Sequence, residues 1–360
     1  MPQHPARLWT GWQAGRLRSK LTGWSAKVAT SYTREPEYAP ARVPCRSAIY
    51  DPDHLSRVTA CGFNRTVPEL KKVLDATSYH EQPLGLFRLG PATLVGGIIH
   101  TRKGLIRLGN HRISLPHAMA ANSVEDEVVI PSTLHGLKYF GHWLGDDVSA
   151  NKAFRDHPAL YVPRRPDWAD VPVYEDLFDQ NWRERDVIRA RSMILLNDIG
   201  FSRGKAERYR QLHARLRRKV QPAADRRDVV FVGRGPSASS REIANFADLE
   251  QRLSAAGVEF VYPEGDTMAF LSRILDARVI ISIEGSQACH AIYALRDGGG
   301  LLVLEPPDRF YAAPHEWMRC MDQHCGLVIG TGAEGGCVIN PNEVLAMLDR
   351  LMTVSAHDAA

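Results

Sequence analysis

From residue 228 onward the hydrophobic positions fall into short unbroken runs separated by amphipathic stretches. Asp-Val-Val-Phe-Val-Gly-Arg (228–234) leads into a polar loop, Ser-Ser-Arg-Glu-Ile-Ala-Asn (239–245), and a helical pattern to Ala256. Val-Glu-Phe-Val-Tyr-Pro-Glu (258–264) follows, then a helical run from Thr267 to Ala277. Arg-Val-Ile-Ile-Ser-Ile-Glu-Gly-Ser (278–286), a third helix from Gln287 to about Leu295, and Leu-Leu-Val-Leu-Glu (301–305) complete the series. Apolar β-branched runs alternating with amphipathic runs of about ten residues predict βαβ units on a parallel sheet covered on both faces. Ligands of such sheets bind beyond the carboxyl ends of the strands. Those ends carry Arg234, Glu264, Glu284, Gly285 and Ser286.

The earlier half is patterned differently. Leu84 to Leu108 reads as strand-rich, with a turn at Arg102-Lys103-Gly104, and Val128 to Pro131 as a further strand. Tyr139 to about Asp156 predicts a helix, Ala159 to Pro163 and Met193 to Leu196 predict strands, and Ser202 to Val220 a strongly basic helix. Gln221-Pro222-Ala223-Ala224 then reads as a linker. Near the start, Leu17, Leu21, Trp24 and Val28 share one helical face among basic residues. Glu35 to Pro44 reads as a second linker. The expected organisation is an arm and linker over 1–44, an α/β lobe over 45–220 and a Rossmann-like lobe over 221–360.

Charge sharpens this picture. The 360 residues carry a net charge of only +4. Residues 1–34 hold Arg7, Arg16, Arg18, Lys20, Lys27 and Arg34 and no acid, so subtracting these six leaves −2 for the rest. A Trp- and Leu-bearing basic arm suits an anionic membrane surface, or packing on its own domain or a twin subunit. With 44% hydrophobic residues the chain can build one or two sizeable cores. Six scattered cysteines, no signal-peptide pattern and no run of eighteen apolar residues predict a reduced, cytoplasmic setting.

Several clusters could carry chemistry. Arg234 and Arg241 beside a helix start suit a diphosphate, or else pair with local carboxylates. Neither the Gly-x-Gly-x-x-Gly fingerprint nor a P-loop is present, which argues against ordinary dinucleotide and ATP binding. Glu284, with Gly285 and Ser286, suits ribose or sugar hydroxyls, or caps its own helix, and Glu264 has the same two readings. His142 and Asp146 stand at i, i+4, the spacing of an oriented general base or of a solvated helix start. Cys320, His324, Cys325 and Cys337 hint at zinc without any regular ligand spacing. The arm and the 202–220 helix raise a nucleic-acid alternative, without interleaved aromatics in the helix to support it.

Arg234, Ser240-Arg241-x-Ile243-x-Asn245, Tyr262-Pro263-Glu264 and the Gly285-Ser286 turn resemble the catalytic half of glycosyltransferase family 61. Tyr139-x-Gly141-His142-Trp143-Leu144 with Asp146 resembles that family's first-lobe motif. Phe246 and Glu284 depart from it. The resemblance implies a GT-B-like α/β fold, two Rossmann-like lobes with a cleft between them, and inverting transfer without a bound metal or other cofactor. It implies that Arg234, Arg241, Asn245, Glu264, Glu284, Gly285 and Ser286 serve the donor, a nucleoside-diphosphate sugar with UDP favoured. It implies His142, aided by Asp146, as base toward a glycan or glycolipid acceptor. Surface or capsular polysaccharide synthesis at the inner face of the plasma membrane is the expected setting, with no nucleic-acid partner. A homologue that binds sugar nucleotides without catalysis is the alternative.

Overall fold

The computed structural model describes residues 2, 31–35, 39–109, 111–120, 123–234, 242–263 and 265–357. It is a mixed α/β protein. The chain divides into two compact units: 1–40, 82–168 and 179–208 form the first, and 41–81, 169–178 and 209–360 the second.

The first unit is built on a seven-stranded sheet. Its long central strand, Val187–Asn197, pairs antiparallel with Leu84–Arg88 and Ala92–Val95 and parallel with Glu125–Ile130. Ala92–Val95, Ile98–Thr101 and Leu105–Arg107 continue as an antiparallel meander. This differs from the Rossmann-like sheet expected of a first lobe, and the reason is local. Gly96 (φ 57°) and Gly97 (φ 81°) close a two-residue hairpin, which reverses the chain where a parallel pair would need a long crossover. One face buries Leu94, Ile99, Ile106, Val128, Ile130, Ile188 and Met193 in a single cluster. Ser31–Glu35, expected at the end of a separate arm, is a strand paired with Leu84–Arg88. Trp9, Trp12, Trp24 and the basic residues from Arg7 to Lys27 lie outside the described residues.

The second unit holds the predicted parallel sheet. Its five strands are Val229–Val232, Glu259–Val261, Ala277–Ile283, Leu295–Glu305 and His324–Ile329, all parallel to their neighbours. Numbered along the chain they lie in the order 2-1-3-4-5. The expected helix from Gln287 is a 3₁₀ turn, Ser286–His290, and one short helix, Ala291–Ala294. Helices Phe246–Ala255 and Pro341–His357 bury Leu249, Leu253, Val344, Met347, Leu348 and Leu351 against Phe231, Val279, Ile281, Leu302 and Val328. Each such side chain contributes about 1.5–3 kcal/mol by leaving water.

The segment 41–81 belongs to this unit because it pairs with it. Ile49 N–H donates to Cys325 O at 2.8 Å, and Leu327 N–H donates to Ile49 O at 2.9 Å. Arg42–Pro44, expected as linker, pairs with Ser78–His80. The division between units falls after Arg208, inside the helix Arg203–Lys219. That helix is basic in sequence but internally paired: Arg208 to Asp198, Arg217 to Asp276 and Asp297, Lys219 to Asp176.

Candidate active site

The strand order fixes where the second unit can hold a ligand. In an open parallel sheet the crevice opens where the winding reverses, between the carboxyl ends of Val229–Val232 and Ala277–Ile283. Arg234 follows the first of these and Glu284, Gly285 and Ser286 the second. The structure brings them together: Arg234 Nη1 donates to Glu284 O at 3.3 Å and to Gln287 Oε1 at 3.0 Å. Gln287 Nε2 in turn donates to Ile283 O at 2.7 Å. A guanidinium is thereby pinned at the switch point, and fixed cations there can offset charge on a departing diphosphate.

Glu284 is buried, with its Oε2 3.6 Å from Arg309 Nε. Gly285 has φ 149° and ψ −179°, a conformation essentially reserved for glycine, and it turns the strand into the 3₁₀ turn that Ser286 opens. Tyr262 ends the neighbouring strand as an exposed ring. Its ring lies so close over Gly233 that a Cβ there would stand 2.2 Å from Tyr262 Cε1. Sequence reading overlooked this use of Gly233. Asn245 bonds within its own unit. Its Nδ2 donates to Ile339 O at 2.8 Å and its Oδ1 accepts from Ile339 N–H at 3.0 Å, so the side chain staples the helix start to a distant loop. Arg241 and Glu264 lie outside the described residues.

The first unit carries a second group. The helix predicted from Tyr139 is interrupted by a π turn over Trp143–Asp147, between Phe140–His142 and Val148–Ala153. Such turns are rare and concentrate at functional sites. The His142 Nδ1–H donates to Asp146 Oδ2 at 2.8 Å, which leaves Nε2 as the imidazole's acceptor. Asp146 is buried, and its Oδ1 accepts from Lys205 Nζ at 2.5 Å. Lys205 is wholly buried and also donates to Asp198 O. Burial works to raise the Asp146 carboxyl, but Lys205 and His142 together hold it below the ordinary carboxylate range. His135 adds a second imidazole, its ring 5.2 Å from that of His142. Burial, reinforced by the neighbouring His142, lowers the His135 pKa and favours the neutral ring. The arrangement suits removal of a proton from a hydroxyl.

Both groups fall within one recognisable stretch. Residues 140–301 match the model of the family described as Glycosyltransferase 61. The chain carries a glycosyltransferase 61 domain. The family is one of glycosyltransferases, so the protein is an enzyme that moves a sugar from a donor to an acceptor. No curated protein matches the chain.

Within the glycosyltransferase 61 domain, two further polar groups are buried. His290 is buried, with Tyr174 Oη 2.7 Å from its Nδ1, and burial pushes its pKa down to about 4. Asp147 neighbours the His142–Asp146 pair but faces inward. Its Oδ1 accepts from Thr133 N–H at 3.0 Å and from Thr133 Oγ1 at 3.1 Å, while its Oδ2 is buried without a partner. Burial pushes this carboxyl well above the ordinary range, the Thr133 bonds oppose the rise, and the Asp146 charge adds to it. Outside the domain lie Cys320, His324, Cys325 and Cys337, all buried. The three cysteines are free thiols, and His324 Nε2 lies 3.0 Å from Arg46 Nη1. Among the described residues no group of three or more His, Cys, Asp or Glu could hold a metal ion.

Asp147 sets a pH dependence. Its folded pKa is raised, so the stability it contributes is full below the unfolded value, about 3.9, and is lost as pH rises toward the folded value. Asp147→Asn removes that titration. The difference in unfolding free energy between the variant and the wild type should therefore move in the variant's favour from pH 4 to pH 8. Urea melts at the two pH values read this directly, and a constant difference would contradict the assignment.

Proposed function

We propose that this glycosyltransferase uses a nucleoside-diphosphate sugar, with UDP as the favoured carrier, and transfers it with inversion to a hydroxyl of a glycan or glycolipid. Arg234, with Arg241 from the neighbouring loop, would stabilise the departing diphosphate as its charge grows. Glu284, Gly285 and Ser286 would line the donor site, and Glu264 would accept from donor hydroxyls. Asn245 would act indirectly, by supporting its loop. His142, oriented by Asp146, would take the acceptor proton in a single displacement. The GT-B arrangement belongs to the same proposal, with the Rossmann-like character carried by the second unit and the acceptor role assigned to the first. Polysaccharide synthesis at the cytoplasmic face of a membrane, with residues 1–34 contacting anionic lipid, completes it.

The observation that carries this reading is the Arg234 guanidinium held against Glu284 O and Gln287 at the sheet's switch point, inside the family-matched stretch. A thermal-shift panel of UDP, GDP, CMP and TDP and their sugar conjugates tests it. A carrier present at 100 times its Kd should stabilise the fold by about 2.7 kcal/mol. Arg234→Ala should abolish that shift. Equal responses to all carriers, or none to any, would overturn the reading.

A further inference from the structure

The strand Leu295–Glu305 ends on the same carboxyl edge as Arg234 and Glu284, and the loop after it is fastened at several points. Arg309 Nε lies 3.6 Å from Glu284 Oε2, and Tyr311 N–H points to Glu305 Oε2 at 3.4 Å. A second segment runs alongside. Thr59 N–H donates to Pro307 O at 2.7 Å, Phe310 N–H to Ala60 O at 3.0 Å, and Gly62 N–H to Phe310 O at 2.9 Å. Immediately after this pairing come Phe63 and Asn64, both left-handed at φ 54° and 56°.

A left-handed Phe is a true outlier, since its side chain crowds the backbone there and glycine or asparagine would sit more easily. The conformation does not serve burial, because Phe63 is 44% exposed. Its ring lies instead against Tyr311, centroids 4.7 Å apart and planes inclined by 36°. Strain of this kind persists where surrounding structure enforces it, and it concentrates at ligand sites. Here three backbone bonds fasten residues 59–62 to 307–310, and the Phe63 ring that follows packs on Tyr311 beside the carboxyl edge of the sheet.

We infer that Phe63 and Tyr311 form a stacking platform for the apolar face of a pyranose ring. The inference rests on the sugar-transferase reading of this sheet edge and adds a sugar subsite to it. An aromatic face and the axial C–H groups of a pyranose are complementary in shape and polarity, and with the two rings packed on each other it is the exposed Phe63 ring, backed by Tyr311, that covers one sugar. Neither side chain carries a formal charge, so the platform recognises the sugar and not the diphosphate. The sugar belongs either to the donor or to the acceptor glycan.

Phe63→Gly and Phe63→Asn test it, because both accept the left-handed backbone. Each should melt no lower than the wild type and should bind UDP as tightly. In the first arm, titration calorimetry compares UDP with UDP-glucose, UDP-xylose and UDP-N-acetylglucosamine. If the donor sugar occupies the platform, its added affinity should fall about three- to tenfold in both variants. In the second arm, xylotetraose and cellotetraose are titrated in the presence of UDP, and a similar loss there assigns the platform to the acceptor. Variants that match the wild type in both arms overturn the inference. So does a wild type that gains nothing from any donor sugar and binds neither oligosaccharide. A wild type that ignores UDP altogether fails the donor reading instead, and the oligosaccharide arm, run without nucleotide, then decides alone.

Discussion

Lys205→Met should lower the unfolding free energy by about 3–5 kcal/mol, the usual cost of leaving one member of a buried ion pair alone. The wild-type lysine has no exposed side-chain surface, and its ammonium reaches both Asp146 Oδ1 and Asp198 O. Removing it leaves the buried Asp146 carboxylate with only its bond to His142. The double variant Lys205→Met with Asp146→Asn should recover part of the loss, since no net charge then remains inside. Denaturant melts of the two single variants and the double complete a cycle whose coupling energy isolates the pair. Additive losses would show that Lys205 and Asp146 act independently, against the geometry.

His142→Ala should reduce kcat/KM by about 10²–10⁴-fold, the range for loss of a proton-transferring group. Stability should change little, because the ring is partly solvent-exposed and Asp146 keeps its Lys205 partner. The two measurements must be read together. A large activity loss with an unaltered melt places the imidazole in the chemistry, whereas activity within tenfold of wild type would remove His142 from it. His142→Gln keeps hydrogen-bonding ability but not basicity, and should be as slow as the alanine variant.

Much of the second unit can be read from its residues because each strand is a short β-branched run between amphipathic helices. Periodicity alone therefore places Val229–Val232, Ala277–Ile283 and Arg234 at one edge. The first unit is less legible. Its strand runs are visible, but their direction is set by the Gly96-Gly97 turn and not by hydrophobic periodicity. Lys205 reads as one cation among many on a basic helix, and only folding brings it to Asp146, 59 positions away. Likewise Asn245 precedes a helix and looks locally useful, but its partner Ile339 is 94 residues distant. His135 lies in an irregular turn where no periodic pattern marks it. Phe63 left no trace either, since backbone strain at a bulky residue is not a compositional signal.

The interleaving of residues 41–81 with the C-terminal portion has a consequence for biosynthesis. This segment is made before its neighbour along Ile49, the strand His324–Ile329, which lies far along the chain. Until then the early segment has no native edge to join, so this unit should complete only once that strand has been made. A fragment starting at Tyr209 would lack Ile49 beside Cys325 and Leu327 and should expose that strand edge to self-association. Supplying the 41–81 peptide in trans should restore its solubility.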